Sequence, residues 1–186
     1  MSKINTVFTE LSKENKKALI PFITAGDPHP NMTVDLLHAL VESGADMIEL
    51  GIPFSDPMAD GPVIQRASER ALANNVGVNR TIELVKQFRS KNKTTPIILM
   101  GYANPIEAIG IENFVDSIKD AGVDGVITVD YPPEESVDFV ALLKKKEIDS
   151  IFLLSPTTED KRVQLIIEQA TGCLLYTSPS PRDVEE

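Results

Sequence analysis

The chain is poor in cysteine, in aromatic residues and in long apolar runs. Its 186 residues include one cysteine, no tryptophan and only 5% aromatic residues. One cysteine cannot build an internal disulfide framework, and such a composition fits the reducing cytoplasm. No apolar run approaches the roughly 18 residues that a membrane helix needs, and the N-terminus lacks the apolar core of a signal peptide. We therefore expect a soluble, cytoplasmic globular domain.

Basic residues are also scarce relative to acidic ones. The chain has 28 Asp and Glu against 18 Lys and Arg, which gives a formal net charge of −10. Such a charge repels nucleic acid and anionic membranes, so neither is expected as a partner. An anionic ligand would have to be attracted by local donors against this overall field.

What the sequence does have is a series of short, continuous apolar runs. They do not alternate between apolar and polar residues, a pattern typical of parallel strands that are covered on both faces. Segments with helical spacing of apolar residues, such as 36–41, 114–121 and 163–170, separate them. Pro133 suits the first position of a further helix, and Glu134 and Glu135 would complement its dipole. The runs span residues 18–26, 46–53, 96–102, 125–131 and 150–156.

Alternation of strands and helices predicts an α/β fold with a parallel sheet, either doubly wound or closed as a barrel. The first strand ends in TAGDPHP, which is not the glycine-rich turn of a dinucleotide-binding open sheet. Polar and turn residues follow every strand, which favours a barrel with its site at the strand ends. A barrel needs eight strands and about 250 residues. This sequence supplies five clear strands and a doubtful sixth, at 173–178.

Glu49 is the most unusual residue in these strands, because it lies between Ile48 and Leu50 in an apolar run. A buried carboxylate is costly unless it is paired or its ionisation is shifted. It is therefore either a general acid or base, or one half of a structural ion pair with a nearby Lys or Arg. The loop that follows presents Asp56 and Asp60 at the same strand end. Two carboxylates at one site can divide their roles, although Asp in such a loop is often only a turn residue.

Five segments of the chain resemble the tryptophan synthase α subunit family, in order and at the family's spacing. The segment DMIELGIPFSDPMADGPVIQ at 46–65 resembles the family's signature. The others are PFITAGDP at 21–28, PIILMGYANPI at 96–106, AGVDGVITVDYPPEES at 121–136 and IFLLSPTT at 151–158. The resemblance implies a (β/α)8 TIM barrel and a lyase of tryptophan biosynthesis. This lyase splits indole-3-glycerol phosphate into indole and glyceraldehyde 3-phosphate by a retro-aldol reaction.

The resemblance also implies roles for individual residues. Glu49 would be the acid–base that protonates indole C3 and acts on the glyceryl hydroxyl, and Asp60 would bind the indole N–H. The residues expected to line the indole pocket are Phe22, Met100, Tyr102 and Val129. The residues expected to face the β subunit of an α2β2 complex are Pro53, Phe54, Asp56, Asn104 and Pro105.

No metal and no cofactor are expected in this subunit, whereas the β subunit is a pyridoxal-phosphate enzyme. The two histidines, His29 and His38, are too few and too far apart for a metal site. Cys173 has no partner for nucleophilic chemistry.

After Gly172 the sequence departs from the family pattern. The family continues with a sixth strand that carries a substrate-contacting tyrosine, but Leu175 stands at its spacing and Tyr176 one place later. A one-residue slip turns a strand side chain to the other face. We therefore interpret 1–172 as a partial barrel domain and 173–186 as an artefactual or disordered tail. A natural divergent terminus is the alternative. Without the family's glycine-rich phosphate loops, we expect this chain to be inactive or nearly so.

Two other functions remain open from the sequence. A different phosphosugar barrel would place a catalytic lysine at a strand end, and none of the strand runs contains one. A non-catalytic chain that only binds or modulates a β subunit is compatible with the 53–60 and 104–105 loops.

Overall fold

The computed structural model describes residues 2–155, 157–172 and 174–176, the last three by their backbone alone. Six strands form one parallel sheet in the order β1-β2-β3-β4-β5-β6. The strands are β1 Phe22–Thr24, β2 Ile48–Gly51, β3 Ile97–Gly101, β4 Gly125–Thr128, β5 Asp149–Leu154 and β6 Leu174–Tyr176. The five clear strands of the sequence are confirmed, and so is the doubtful sixth.

Helices connect the strands and cover one face of the sheet. They are α1 Lys3–Lys13, α2 Pro30–Glu42, α3 Pro62–Ala73, α4 Val78–Arg89, α5 Ala103–Ile109, α6 Ile111–Ala121, α7 Val137–Lys145 and α8 Asp160–Gln169. Two connections hold two helices each, because α3 and α5 extend from the loops that follow β2 and β3. None of these helices in the described part of the chain is long and apolar enough to cross a membrane.

The predicted start of a helix at Pro133 is wrong, because α7 begins at Val137. Residues 133–135 form a turn, in which the backbone N–H groups of Glu135 and Ser136 both donate to the Pro132 carbonyl at 3.0 Å. The Pro133 carbonyl accepts a hydrogen bond from Gln169 Nε2 of α8 at 2.8 Å. Pro132 and Pro133 therefore lie in a turn that is hydrogen-bonded to α8.

The strands divide their apolar residues between two faces, since successive side chains of a strand point in opposite directions. One set, which includes Ile48, Leu50, Leu99 and Val126, packs with the helices in the larger core cluster. The other set forms a separate inner cluster of Met47, Ile98, Ile127 and Ile151, together with Ile4 of α1. Two apolar layers, one outside and one inside the sheet, are the arrangement of a barrel wall.

Helix α1 closes the end of the sheet at which the strands begin. Ile4 is fully buried against the inner cluster. A Cβ atom on Gly125 would lie 2.9 Å from Ile4 Cδ1, so the absence of a side chain at the start of β4 makes room for Ile4. The opposite end of the strands therefore remains available for a site.

A half-buried ion pair joins the helices to this closed end. Arg89 at the end of α4 donates from Nη2 to Asp124 Oδ2 at 2.6 Å, and both side chains are about 10% exposed. The Ile97 backbone N–H donates to the same oxygen at 3.0 Å, and Lys3 Nζ lies 3.0 Å from Asp124 Oδ1. One carboxylate thus ties α1, α4 and β3 to the start of β4.

We expect Asp124→Asn to lower the free energy of unfolding by about 3 kcal/mol, because it leaves the Arg89 guanidinium without its countercharge. Urea unfolding followed by circular dichroism measures this loss. Asp116→Asn is the matched control, since the Asp116–Lys146 pair is largely exposed and should contribute less than about 1 kcal/mol. Equal losses in the two variants would contradict a structural role for the Arg89–Asp124 pair.

Candidate active site at the carboxyl ends of the strands

Glu49 lies on the inner face of the sheet. It follows Met47 of the inner cluster by two residues, and its neighbours Ile48 and Leu50 belong to the outer cluster. In the strand register Glu49 pairs with Phe22 of β1 and with Ile98 of β3. A carboxylate therefore projects from an apolar wall into the barrel interior, as its position in the strand requires.

The Glu49 carboxylate forms no hydrogen bond or ion pair within the described residues. Burial raises its pKa above the ordinary value of 4.5. The structural ion pair considered from the sequence is therefore not formed in this part of the chain. An unpaired acid with a raised pKa can hold a proton at a pH where an exposed glutamate would have lost it.

Asp60 lies in the loop between β2 and α3 and borders a small pocket at the strand ends. Burial raises its pKa above the ordinary 3.8, while a hydrogen bond from the Tyr102 hydroxyl group to Oδ2 at 3.1 Å opposes that rise. Gln65 Nε2 donates to the Asp60 carbonyl at 2.8 Å. The loop is thus held to α3 through its backbone while the carboxylate faces the pocket.

The pocket collects the four residues expected there from the sequence. Phe22, Met100, Tyr102 and Val129 come from the ends of three strands and line it together with Asp60. Glu49 is not itself a lining residue. It lies just below, because its register partner Phe22 and the residue two places on, Gly51, are both in the lining.

Glycine at position 51 is what lets the Phe22 ring lie across the strand. A Cβ atom at this position would lie 2.6 Å from Phe22 Cζ. Any side chain at residue 51 would therefore push the ring from its place. The pocket wall beside Glu49 is shaped by this close approach of a ring to a backbone.

The sequence did not predict six of the lining residues, which are Thr24, Gly51, Ile52, Ile64, Ser68 and Gly101. Thr24 shares a strand face with Phe22, and Ile64 and Ser68 lie one helical turn apart on α3. The signal for Thr24 was its spacing of two from Phe22, and the signal for Ile64 and Ser68 was their spacing of four from each other, which places them on one face of α3. The hydroxyl group of Thr24 is buried and has no hydrogen-bond partner within the described residues.

The five residues expected at a partner interface lie in the loop after β2 and in the first turn of α5. Phe54 packs against Tyr102, with 5.3 Å between the ring centroids, and so joins the loop after β2 to the end of β3. Asp56 and Asn104 are exposed, and Pro105 is half-buried. Pro53 is buried by its own chain, where it supports the loop from beneath. Their interface roles stay a prediction.

No metal centre is apparent in the described part of the chain, where no three His, Cys, Asp or Glu side chains lie close enough to hold an ion. His29 is the N-cap of α2, where Nδ1 accepts from the Asn31 backbone N–H at 3.2 Å. His38 packs against Phe88, with 4.8 Å between ring centroids. Cys173 and the side chains of residues 174–176, including Leu175 and Tyr176, lie outside what the structure describes.

The Glu49 carboxylate should destabilise the fold at neutral pH. Its folded pKa is raised, so ionisation costs more in the folded chain than in the unfolded chain. We expect Glu49→Gln to raise the free energy of unfolding at pH 8. The gain should shrink as pH falls through the raised pKa and vanish below about 4, where both states are protonated. Urea unfolding at several pH values measures it, with the exposed Glu10→Gln as control. A gain that does not depend on pH would contradict the burial argument.

Known proteins with a similar sequence and fold give the family. The family model of the tryptophan synthase alpha chain matches residues 8–180. The tryptophan synthase alpha chain of Methylococcus capsulatus is 57% identical over 178 residues, which are 96% of this chain and 67% of that protein. The corresponding chain of Cupriavidus metallidurans is 58% identical over the same shares. This chain thus spans about two thirds of the length of these curated relatives.

Solved structures agree with the sequence comparison. The tryptophan synthase subunit alpha from Legionella pneumophila superposes with a TM-score of 0.94 at 48% identity, over 99% of this chain and 71% of that one. The tryptophan synthase a2b2 complex from Pyrococcus furiosus gives a TM-score of 0.81 at 42% identity, over 86% and 65%. The matched region extends beyond residue 172, so a domain limit at 172 and a tail at 173–186 stay predictions. On sequence and structure together, this chain belongs to the tryptophan synthase alpha chain family, whose fold is a TIM barrel.

Proposed function

We propose that the site at the carboxyl ends of the strands is that of a carbon–carbon lyase. Its reaction is the retro-aldol cleavage of indole-3-glycerol phosphate to indole and glyceraldehyde 3-phosphate. The observation that carries the proposal is the unpaired Glu49 carboxylate, whose pKa burial raises, beside an apolar pocket bordered by Asp60. The pocket walls suit a flat apolar ring, and the two acids suit proton transfer around it.

Glu49 is proposed to be the proton donor and acceptor. The carbon–carbon bond breaks only after indole C3 gains a proton and a hydroxyl group of the glycerol chain loses one. An acid with a raised pKa supplies the first proton at a pH where its conjugate base can later take the second. The position of Glu49 on the inner wall, next to Phe22 in the register, supports its reaching the face of a bound ring.

Asp60 is proposed to bind the indole N–H and to stabilise the positive charge of the ring after C3 is protonated. A carboxylate acts in this way only when it is ionised. Burial raises its pKa, while the Tyr102 hydroxyl group donates a hydrogen bond that favours the charged form. The two acids thus lie in different surroundings, as a division of roles requires.

Phe22, Met100, Tyr102 and Val129 are proposed to hold the indole ring. All four line the same pocket, and the aromatic and apolar atoms that they offer match a bicyclic aromatic ligand. No cofactor is proposed for this chain, since every step is an acid–base step. Pyridoxal phosphate is proposed for the partner β subunit only.

The partner is proposed to be a tryptophan synthase β subunit in an α2β2 assembly within the cytoplasm. The exposed Asp56 lies on the loop after β2 and the exposed Asn104 lies in the first turn of α5, and the Phe54–Tyr102 ring contact joins these two segments. A partner that moves one segment therefore acts on both the pocket wall and the loop of Asp60. The alternative of a non-catalytic chain that only modulates the β subunit uses the same segments.

Indole release from indole-3-glycerol phosphate tests the lyase. The assay compares this chain, the same chain completed to the length of its relatives, and both with β subunit present. We expect turnover from the completed chain. Glu49→Gln in the completed chain should lower kcat at least a hundredfold, whereas Glu10→Gln should not change it. A folded completed chain without activity would favour the modulatory alternative.

Asp56→Ala should weaken binding of the β subunit, because an exposed charge at an interface speeds association and guides partner choice. Isothermal titration calorimetry or interferometry at low and moderate salt measures the change, which we expect to shrink as salt rises. Asp35→Ala on the exposed surface of α2 is the control. If both variants bind the β subunit equally well, the 53–60 loop is not the interface.

A further inference from the structure

We propose that the hydroxyl group of Tyr102 is a positioning group that fixes the Asp60 carboxylate toward the pocket. The inference rests on the proposed function of Asp60, and it gives Tyr102 a task beyond that of an apolar pocket wall. Tyr102 is only 4% exposed, so its hydroxyl group is removed from water. A buried phenol needs hydrogen-bond partners, and the ones that it has are informative.

Both partners of the hydroxyl group belong to the loop of Asp60. The oxygen accepts a hydrogen bond from the Ala59 backbone N–H at 3.1 Å and donates its proton to Asp60 Oδ2 at 3.1 Å. One atom therefore fixes the Met58–Ala59 peptide group and the side chain of Asp60 together. Neither hydrogen bond would be needed if Tyr102 were only an apolar wall of the pocket.

The ring that carries this hydroxyl group is itself held in place. It packs on Phe54, and the next backbone N–H, that of Ala103, donates to Asp130 Oδ1 at 2.7 Å. Asp130 follows the pocket residue Val129 at the end of β4. The ring is therefore fixed by contacts with β3 and β4, and its hydroxyl group extends to the loop after β2.

This arrangement leaves one oxygen of Asp60 for a ligand. Within the described residues, Tyr102 is the one hydrogen-bond partner of the carboxylate, and it occupies Oδ2. Oδ1 stays available to accept an N–H group from a molecule in the pocket. A hydrogen bond to the ionised carboxylate also opposes the rise in pKa that burial causes. Orientation and charge state are thus controlled by the same contact.

Tyr102→Phe separates the two roles, because it keeps the ring, the packing on Phe54 and the pocket shape while removing only the hydroxyl group. The primary readout is a carbon-13 NMR titration of the Asp60 carboxyl group in this chain, without substrate. Asp60→Asn identifies its signal. We expect the titration midpoint to rise in Tyr102→Phe, since the bond that favours the charged form is gone.

Tyr131→Phe is the matched control. Tyr131 also donates from its hydroxyl group to a carboxylate, that of Glu107, but it does not line the pocket of Asp60. It should leave the Asp60 midpoint unchanged. An unchanged midpoint in Tyr102→Phe as well would overturn the proposal, whether or not the chain proves to be a lyase. If Tyr102→Phe does not fold, 3-fluorotyrosine at position 102 replaces it, because its hydroxyl group is a stronger hydrogen-bond donor. It should lower the titration midpoint of Asp60. An unchanged midpoint in this variant would also refute the proposal.

Kinetics of the completed chain give a second readout. A positioning role predicts that Tyr102→Phe lowers kcat about ten- to a hundredfold, the usual effect of a hydrogen bond to a charged group. The acidic limb of the pH profile should also move to higher pH. A wall role predicts no change, because the wall remains. Indole binding to the 186-residue chain serves as the check on the pocket itself, and since these residues include no tryptophan, the fluorescence of added indole can be followed directly. Unaltered kcat and pH profile with intact binding would contradict the proposal.

Discussion

The alternation of side chains along parallel strands is the constraint on which the whole site depends. At β2 it sends Ile48 and Leu50 to the helices and leaves Met47, Glu49 and Gly51 for the interior. The same parity, carried across the register, places Phe22 beside Glu49 and Met100 beside Gly51. An acid moved by one residue along the strand would point to the outer face and be buried between the sheet and the helices. The position of Glu49 in an apolar run therefore follows from geometry, and its cost follows from the same geometry.

The two ends of the sheet differ in how their buried carboxylates are paired. At the end where the strands begin, the carboxylate of Asp124 is paired, whereas Asp149 Oδ2 at the start of β5 is buried without a hydrogen-bond partner within the described residues. Asp124 forms ion pairs with Arg89 and Lys3 and accepts a hydrogen bond from a backbone N–H. Ile4 of α1 packs into the inner cluster at the same end. At the other end, and within the described residues, the Glu49 carboxylate has no partner and the Asp60 carboxylate has only Tyr102. The Asp124 carboxylate thus serves the structure at one end of the sheet, while the carboxylates at the other end keep oxygens available to a ligand, where barrel enzymes have their sites.

The strand pattern and much of the pocket were predictable from the sequence, because both depend on local periodicity. Continuous apolar runs mark strands covered on both faces, and residues at the strand ends must meet at one edge of a parallel sheet. The family resemblance was needed to choose Phe22 and Val129 from among other apolar residues. The start of α7 was mispredicted because a proline suits both a first helical turn and a tight turn. A contact from α8, through Gln169, accompanies the turn in this chain. No local rule could have shown that bond.

The hydrogen bonds of Tyr102 were even harder to predict from the sequence. They join residues more than forty positions apart, and their existence depends on the path of the loop between β2 and α3. The consequence is chemical. Glu49 is raised in pKa by burial alone, whereas for Asp60 the effect of burial is opposed by a donor. Burial thus raises the pKa of both carboxylates, and only for Asp60 does a hydrogen-bond donor oppose the rise. The proposed division of roles, with a proton donor at Glu49 and a countercharge at Asp60, rests on that difference in surroundings.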